Sequence, residues 1–233
     1  RLCDKVIVHT NLAKETLVQT YGIYEKKLEI IPHGIETKFP STKTPKIKER
    51  LNLNGKRIVL HFGIIRTSKG LNTLIAAFKK VLLTHQNVAL VIVGWFHEYL
   101  TNLEIRKVLS SIEESEALKK HVKVFIGYLP EDTLYEIISA SDAICFPYAE
   151  NYVIGVSGAT ADIVMWGKPV VVTNVIFTQD DEESLAKTLI RALEETLRIT
   201  LDVPHFKEYS WNAVAAKTLS CYQTILARED NPR

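Results

Sequence analysis

Five short apolar runs, each followed by a polar loop, fill the middle of the chain and leave few folds open. The first four of those loops each lead into a helical pattern. The runs are Arg57–Phe62, Val88–Val93, Val122–Ile126, Ala143–Phe146 and Pro169–Val172. They are nearly continuous in Val, Ile, Leu and Phe instead of alternating apolar with polar, the pattern of strands buried on both faces. Between the first two, Leu71–Leu83 carries apolar residues at 71, 74, 75, 78, 81 and 82, one stripe at the helical period. Helical patterns also cover residues 98–118, 131–140, 157–166 and 181–198. Strands alternating with helices predict a parallel sheet covered on both faces. With right-handed crossovers this is an α/β doubly wound parallel sheet, Rossmann-like.

Outside that block the reading is less regular. Asp4–Thr10 and Leu28–Ile31 are predicted strands, Asn11–Tyr21 a helix closed by Gly22, and Trp211–Arg228 a final helix. Residues 36–46, rich in Thr, Lys and Pro without periodicity, mark a linker. The chain opens inside a strand pattern, which predicts a fragment of something longer. Its 233 residues suffice for one large domain or one and a half, with a core. A formal charge of +2 gives no basic arm for nucleic acid. No apolar run reaches the roughly 18–20 residues of a membrane span, and no stretch reads as a signal peptide. The three cysteines, Cys3, Cys145 and Cys221, lie in no metal or redox spacing, so free thiols and a reducing compartment are expected.

In doubly wound sheets, ligands sit beyond the carboxyl ends of the strands. The loops there are Gly63–Gly70, Gly94–Tyr99, Gly127–Glu131 and Pro147–Gly158. In the first, Arg66 and Lys69 lie three apart before a helix, a planar guanidinium beside a compact ammonium, suited to clamp a diphosphate. The alternative is a pair of solvated surface cations. Gly127, Tyr128 and Leu129 offer backbone groups and an apolar wall to a flat base, or form a plain turn before a Pro-initiated helix. Ser157 and Gly158 open a helix whose first amides can hold anionic oxygens, or are an ordinary Ser cap. Glu150 precedes that helix and Asp162 lies inside it, both able to accept from sugar hydroxyls. Among the histidines, His61 in its strand reads as a satisfied core residue, and His85, His121 and His205 as solvated. His33 and His97 are the two worth testing. No Ser-His-Asp or Cys-His order and no metal-ligand spacing is evident.

These segments coincide with a known pattern. IIPHGIE (30–36), FGIIRTSKGLNTLIAAF (62–78), VALVIVGW (88–95), VFIGYLPEDTLYEIISASDAICFPY (124–148), SGATADIVMWGKPVVVT (157–173) and YSWNAVAAKTLSCYQTIL (209–226) occur in one order over most of the chain. In that order the chain resembles the C-terminal, donor-binding domain of the retaining GT-B glycosyltransferases of family 4, the group 1 glycosyl transferases. The resemblance implies two Rossmann-like domains facing across a cleft. Residues 1–40 would end the N-terminal one and its linker, 41–210 would bind the nucleotide-sugar donor, and 211–233 would form the helix that crosses back. It implies transfer of a hexose from a nucleotide diphosphate sugar, with retention. Arg66 and Lys69 would stabilise charge on the departing nucleotide, with no metal and no cofactor. Gly63 would lie in the same loop, the base near Gly127, Tyr128 and Leu129, and the phosphates on Val156, Ser157 and Gly158.

Three departures bear on that expectation. Counting back from Gly167-Lys168-Pro169, the second acid of the family's glutamate pair falls on Asp162 and the first on Ile154, with Glu150 as a substitute four residues earlier. A Gly-rich, Glu-containing segment after the PVVVT strand is absent, as Val175 runs into Ile176, so omitted residues are one expectation. Almost the whole N-terminal domain lies outside the chain. An acceptor sugar or lipid-linked glycan would bind there, and the fragment alone would be inactive. The expected location is cytoplasmic, free or at a membrane surface. The alternatives are a nucleotide-sugar epimerase of GT-B fold and a non-catalytic binding or interaction protein, the latter supported by Ile154.

Overall fold

The computed structural model describes residues 3–37, 46–65, 67–95, 102–148, 157–163, 166–172, 181–194 and 206–229. The expectations placed on Arg66, His97, Glu150, Ile154, Val156, His205 and the Val175–Ile176 link lie outside these residues. The chain divides into two compact units. One comprises residues 1–39, 153–165 and 200–233, the other residues 40–152 and 166–199.

The larger unit begins with a short helix, α2 (Ile47–Arg50), after β1 (Val6–Val8), α1 (Asn11–Gln19) and β2 (Leu28–Ile30) of the smaller unit. It continues as β3 (Arg57–Ile64), α3 (Leu71–Thr84), β4 (Val88–Trp95), α4 (Asn102–Glu113), α5 (Glu116–His121), β5 (Val122–Ile126), α6 (Glu131–Ala140) and β6 (Ala143–Phe146). It is completed by β7 (Val170–Val172) and α8 (Glu182–Glu194). All five strands are parallel, in the order β5-β4-β3-β6-β7. Counted by appearance that is 3-2-1-4-5, the doubly wound sheet expected. The order reverses between β3 and β6, and the crevice beyond the carboxyl ends of those two strands is where such sheets take ligands.

The near-continuous apolar strands are buried on both faces, as their composition requires. Val59, Leu90, Ile92, Cys145 and Val171 pack with Leu74 and Phe78 of α3 and Leu185 and Leu189 of α8. Each fully buried Leu or Phe contributes roughly 1.5–3 kcal/mol. The alternate residues Ile58, Leu60, Val91, Ile144 and Phe146 point to the opposite face by the period of two and are equally buried.

Local chemistry changes three sequence-based boundaries. The helix expected over 98–118 is two helices, because Ser115 leaves the helical conformation and its hydroxyl accepts the Leu118 N–H to start α5. Strand β4 does not stop at Gly94 but continues to Trp95, and β3 extends to Ile64. Gly94 pairs with Gly63 there, and a Cβ added to Gly94 would stand 2.4 Å from the Gly63 carbonyl oxygen. The close approach of the two strand ends therefore needs glycine. His121, expected to be solvated, is buried, with Nδ1 2.8 Å from the Val88 carbonyl oxygen.

The smaller unit holds β1 (Val6–Val8), α1 (Asn11–Gln19), β2 (Leu28–Ile30), α7 (Gly158–Ile163) and α9 (Trp211–Glu229). Thr10 caps α1 by accepting the Ala13 N–H at 3.0 Å. Gly22, in the left-handed region, donates to Val18 beyond its end. Strands β1 and β2 pair in parallel, and Val8, Ala13 and Leu28 form a small core. Ile35 bridges Ser210, tying the segment after β2 to the start of α9. Among the described residues no helix is long and apolar enough to cross a membrane.

Candidate functional site

At the reversal point of the sheet, the loop after β3 turns through Thr67–Lys69 into α3. Gly70 makes that turn possible. Its φ is 64°, and an added Cβ would stand 1.6 Å from the Pro147 carbonyl oxygen in the loop after β6. The two loops thus meet backbone to backbone. This brings Lys69 to Tyr148, with Nζ 4.4 Å from the ring centroid. Lys69 is only 7% exposed, so it is not a solvated surface cation. A desolvated ammonium over an aromatic face is held by about 2 kcal/mol. Tyr148 is itself stacked on Phe146, which meets Phe62 edge-on. A cation fixed in this way needs no reorganisation before it meets an anionic oxygen.

Beneath the loop, His61 of β3 is 1% exposed, with Nδ1 2.9 Å from the Cys145 carbonyl oxygen. It is a core residue but not a satisfied one, because its buried Nε2 has no hydrogen-bond partner among the described residues. Burial pushes its pKa down to about 4, against the effect of the Cys145 hydrogen bond, and the Lys69 charge lowers it further. The ring is therefore neutral near pH 7. Cys145, buried in β6, has its thiol pushed far up by the same loss of water, which makes it inert.

The expected base platform lies after β5. Gly127 donates to the Gly94 carbonyl oxygen at 2.8 Å, which joins this loop to the glycine pair at the ends of β3 and β4. A Cβ on Gly127 would meet nothing within 4 Å, and Tyr128 is 87% exposed. With Leu129 half-buried beside them, the loop presents an open, partly apolar ledge. Gly63, Lys69, Gly127, Tyr128 and Leu129 all belong to the larger unit.

Ser157, Gly158 and Asp162 belong to the smaller unit, where His33 faces the start of α7. A Cβ on Gly158 would lie 3.4 Å from His33 Nε2. The His33 ring is held by its own loop, with Nδ1 2.6 Å from the Gly34 carbonyl oxygen, and packs edge-on against Trp211 and His9. Asp162 is exposed, yet loss of water around its carboxyl holds the pKa above the usual range. His33 opposes that shift and Glu36 adds to it. Beside His33 opens a cavity of about 300 Å³ whose walls include Pro32, Ile35, Ala161, Phe206 and Tyr209.

No group of three or more His, Cys, Asp or Glu placed to hold a metal occurs among the described residues. Sequence reasoning passed over Tyr148 and the unpaired nitrogen of His61. The signals for them were an aromatic residue two positions after a buried strand and a polar ring inside an apolar one.

Comparison with known proteins gives this geometry a family. The model for "Glycosyl transferases group 1" matches residues 43–200. Mannosylfructose-phosphate synthase of Agrobacterium fabrum is 30% identical over 147 residues, covering 61% of this chain and 32% of that protein. An uncharacterised glycosyltransferase of Methanocaldococcus jannaschii is 24% identical over 253 residues, 96% of this chain and 60% of that one. Among solved structures, Anabaena HepE in complex with UDP-glucose superposes with a TM-score of 0.76 at 15% identity, over 97% of this chain and 65% of HepE. The chain thus spans between a third and two thirds of the length of these relatives. With the matched segment running through the sheet and the Lys69 loop, the chain belongs to the group 1 glycosyl transferases.

Proposed function

We propose that this chain supplies the donor-binding half of a retaining hexosyltransferase whose donor is a uridine diphosphate hexose. The observation that carries the reading is the desolvated Lys69 ammonium, set over Tyr148 at the point where the strand order reverses. Charge grows on the leaving diphosphate as the glycosidic bond breaks. A preorganised cation stabilises that charge more in the transition state than in the ground state, which is what raises the rate. Lys69 performs this with Arg66, without a metal or cofactor. Tyr128 and the Gly127 backbone take the base, and the amides of Val156, Ser157 and Gly158 take phosphate oxygens. Asp162 accepts from donor hydroxyls, and Glu150 takes the place of the acid that Ile154 lacks.

Uridine is favoured because HepE is described in complex with UDP-glucose. The acceptor, a sugar or lipid-linked glycan, binds through an N-terminal domain that residues 1–40 complete and residues 211–233 rejoin, in the cytoplasm or at a membrane surface.

A non-catalytic binding protein is the second reading, favoured by Ile154 at the expected acid position. The full-length protein, with the N-terminal domain that this reading requires, incubated with UDP-hexose and candidate acceptors, separates them. Product with the donor's anomeric configuration, seen by NMR, supports the transferase. Donor isomerisation without transfer supports an epimerase, and binding without turnover supports the second reading.

A further inference from the structure

His61 holds a lone pair that the fold leaves unpaired. Its Nδ1 faces the Cys145 carbonyl oxygen, so Nδ1 donates and Nε2, without a hydrogen, can only accept. That Nε2 is buried with no partner among the described residues. An unpaired acceptor inside a core is costly, and a Leu or Phe in this apolar strand would have avoided it. The cost is borne in the carboxyl half of β3, the strand that leads into the Lys69 loop. Lys69 is close enough for its charge to act on the imidazole. Tyr148 covers one side of the ammonium with a π face, and an ammonium carries three N–H donors.

We propose that His61 is the positioning residue for Lys69: in the donor-bound state its Nε2 accepts an N–H of the ammonium, directly or through one buried water. The cation then stands between a π face and a lone pair, fixed where the diphosphate meets it. An imidazolium at this place would repel the ammonium, so the neutral ring is the form that fits. The inference rests on the donor-site reading above. It extends that reading from the groups that touch the diphosphate to the group that aims one of them.

Two substitutions separate positioning from packing. In His61→Asn the amide N–H₂ reaches the Cys145 carbonyl from about the Nδ1 position and leaves nothing at Nε2. In His61→Gln the amide oxygen reaches about the Nε2 position. Inorganic pyrophosphate, UDP and uridine are titrated calorimetrically into the full chain and both variants. Pyrophosphate and UDP are expected to bind about tenfold more weakly to His61→Asn. His61→Gln should stay within about twofold of wild type, and uridine affinity should not change. Equal pyrophosphate binding by wild type and His61→Asn overturns the inference, as does a loss in His61→Gln as large as in His61→Asn. If wild type binds neither pyrophosphate nor UDP, the donor-site reading itself falls. NMR of the imidazole nitrogens in wild type tests the same contact without a variant. Nε2 should move to a hydrogen-bonded shift on adding pyrophosphate, and an unmoved resonance in the bound protein contradicts the proposal.

Discussion

The Pro147 carbonyl oxygen lies 1.6 Å from where a Cβ on Gly70 would be built. The loops that follow β3 and β6 are therefore in direct backbone contact, and this contact sets Lys69 over Tyr148. Gly70→Ala must both strain a left-handed residue and separate the loops. Gly22 has a similar φ of 62° but open space around it. Chemical denaturation should show Gly22→Ala costing roughly 1–2 kcal/mol and Gly70→Ala more than about 3 kcal/mol. Similar losses in the two variants would mean that the loop contact is unimportant.

His61 gives stability a defined pH dependence. Its folded pKa of about 4 lies below the ordinary value of 6.5. The unfolded chain therefore takes up a proton at this site before the native protein does. The contribution is whole above pH 6.5 and is lost as pH falls towards 4, amounting to about 3 kcal/mol. The unfolding free energy of wild type relative to His61→Gln, followed from pH 7.5 to 4.5, should fall over that window. A constant difference would show that the imidazole is not neutralised by burial.

Asp162 is expected to trade stability for binding. Its folded pKa is raised, so the ionised form is disfavoured by folding at neutral pH and the penalty disappears as pH falls to the carboxylate range. Asp162→Asn should raise the melting temperature at pH 7, with no gain near pH 4. If the carboxylate accepts from donor hydroxyls, the same variant binds UDP-hexose several-fold more weakly. A variant that gains stability and keeps its affinity would remove Asp162 from the site.

Gly34 lies against Trp211, where an added Cβ would come 2.4 Å from the indole. Gly34→Ala should displace that ring and disturb His33, which packs on it. The expected loss is about 1–3 kcal/mol, with a changed emission from Trp211 in a chain whose other tryptophans are replaced by Phe.

Much of the larger unit is legible in the sequence, because its strands are apolar throughout and α3 has a single clean stripe. The doubly wound arrangement follows from those elements together with the handedness of crossovers. Periodicity alone does not show the Ser115 break between α4 and α5, which depends on one hydroxyl accepting one N–H. Nor does it extend β4 past Gly94, which depends on the glycine facing it across the ladder. In the site, the loop position of Lys69 is readable, but its burial is not. Tyr148, which covers it, is far away in sequence and is brought near by the adjacency of β3 and β6. His121, at the end of α5, escapes a sequence reading for the same reason, since the Val88 carbonyl that receives it belongs to β4.

The central claim is that Lys69, with Arg66, grips a nucleotide diphosphate. Calorimetric titration of UDP, GDP and ADP into the chain and into the Arg66→Ala, Lys69→Ala double variant tests it most directly. The expected result is UDP binding by wild type that weakens at least a hundredfold in the double variant, the sum of two charge-assisted contacts at about 1.5–3 kcal/mol each. Diphosphate binding that survives the double substitution, in a variant that remains folded, would contradict the account.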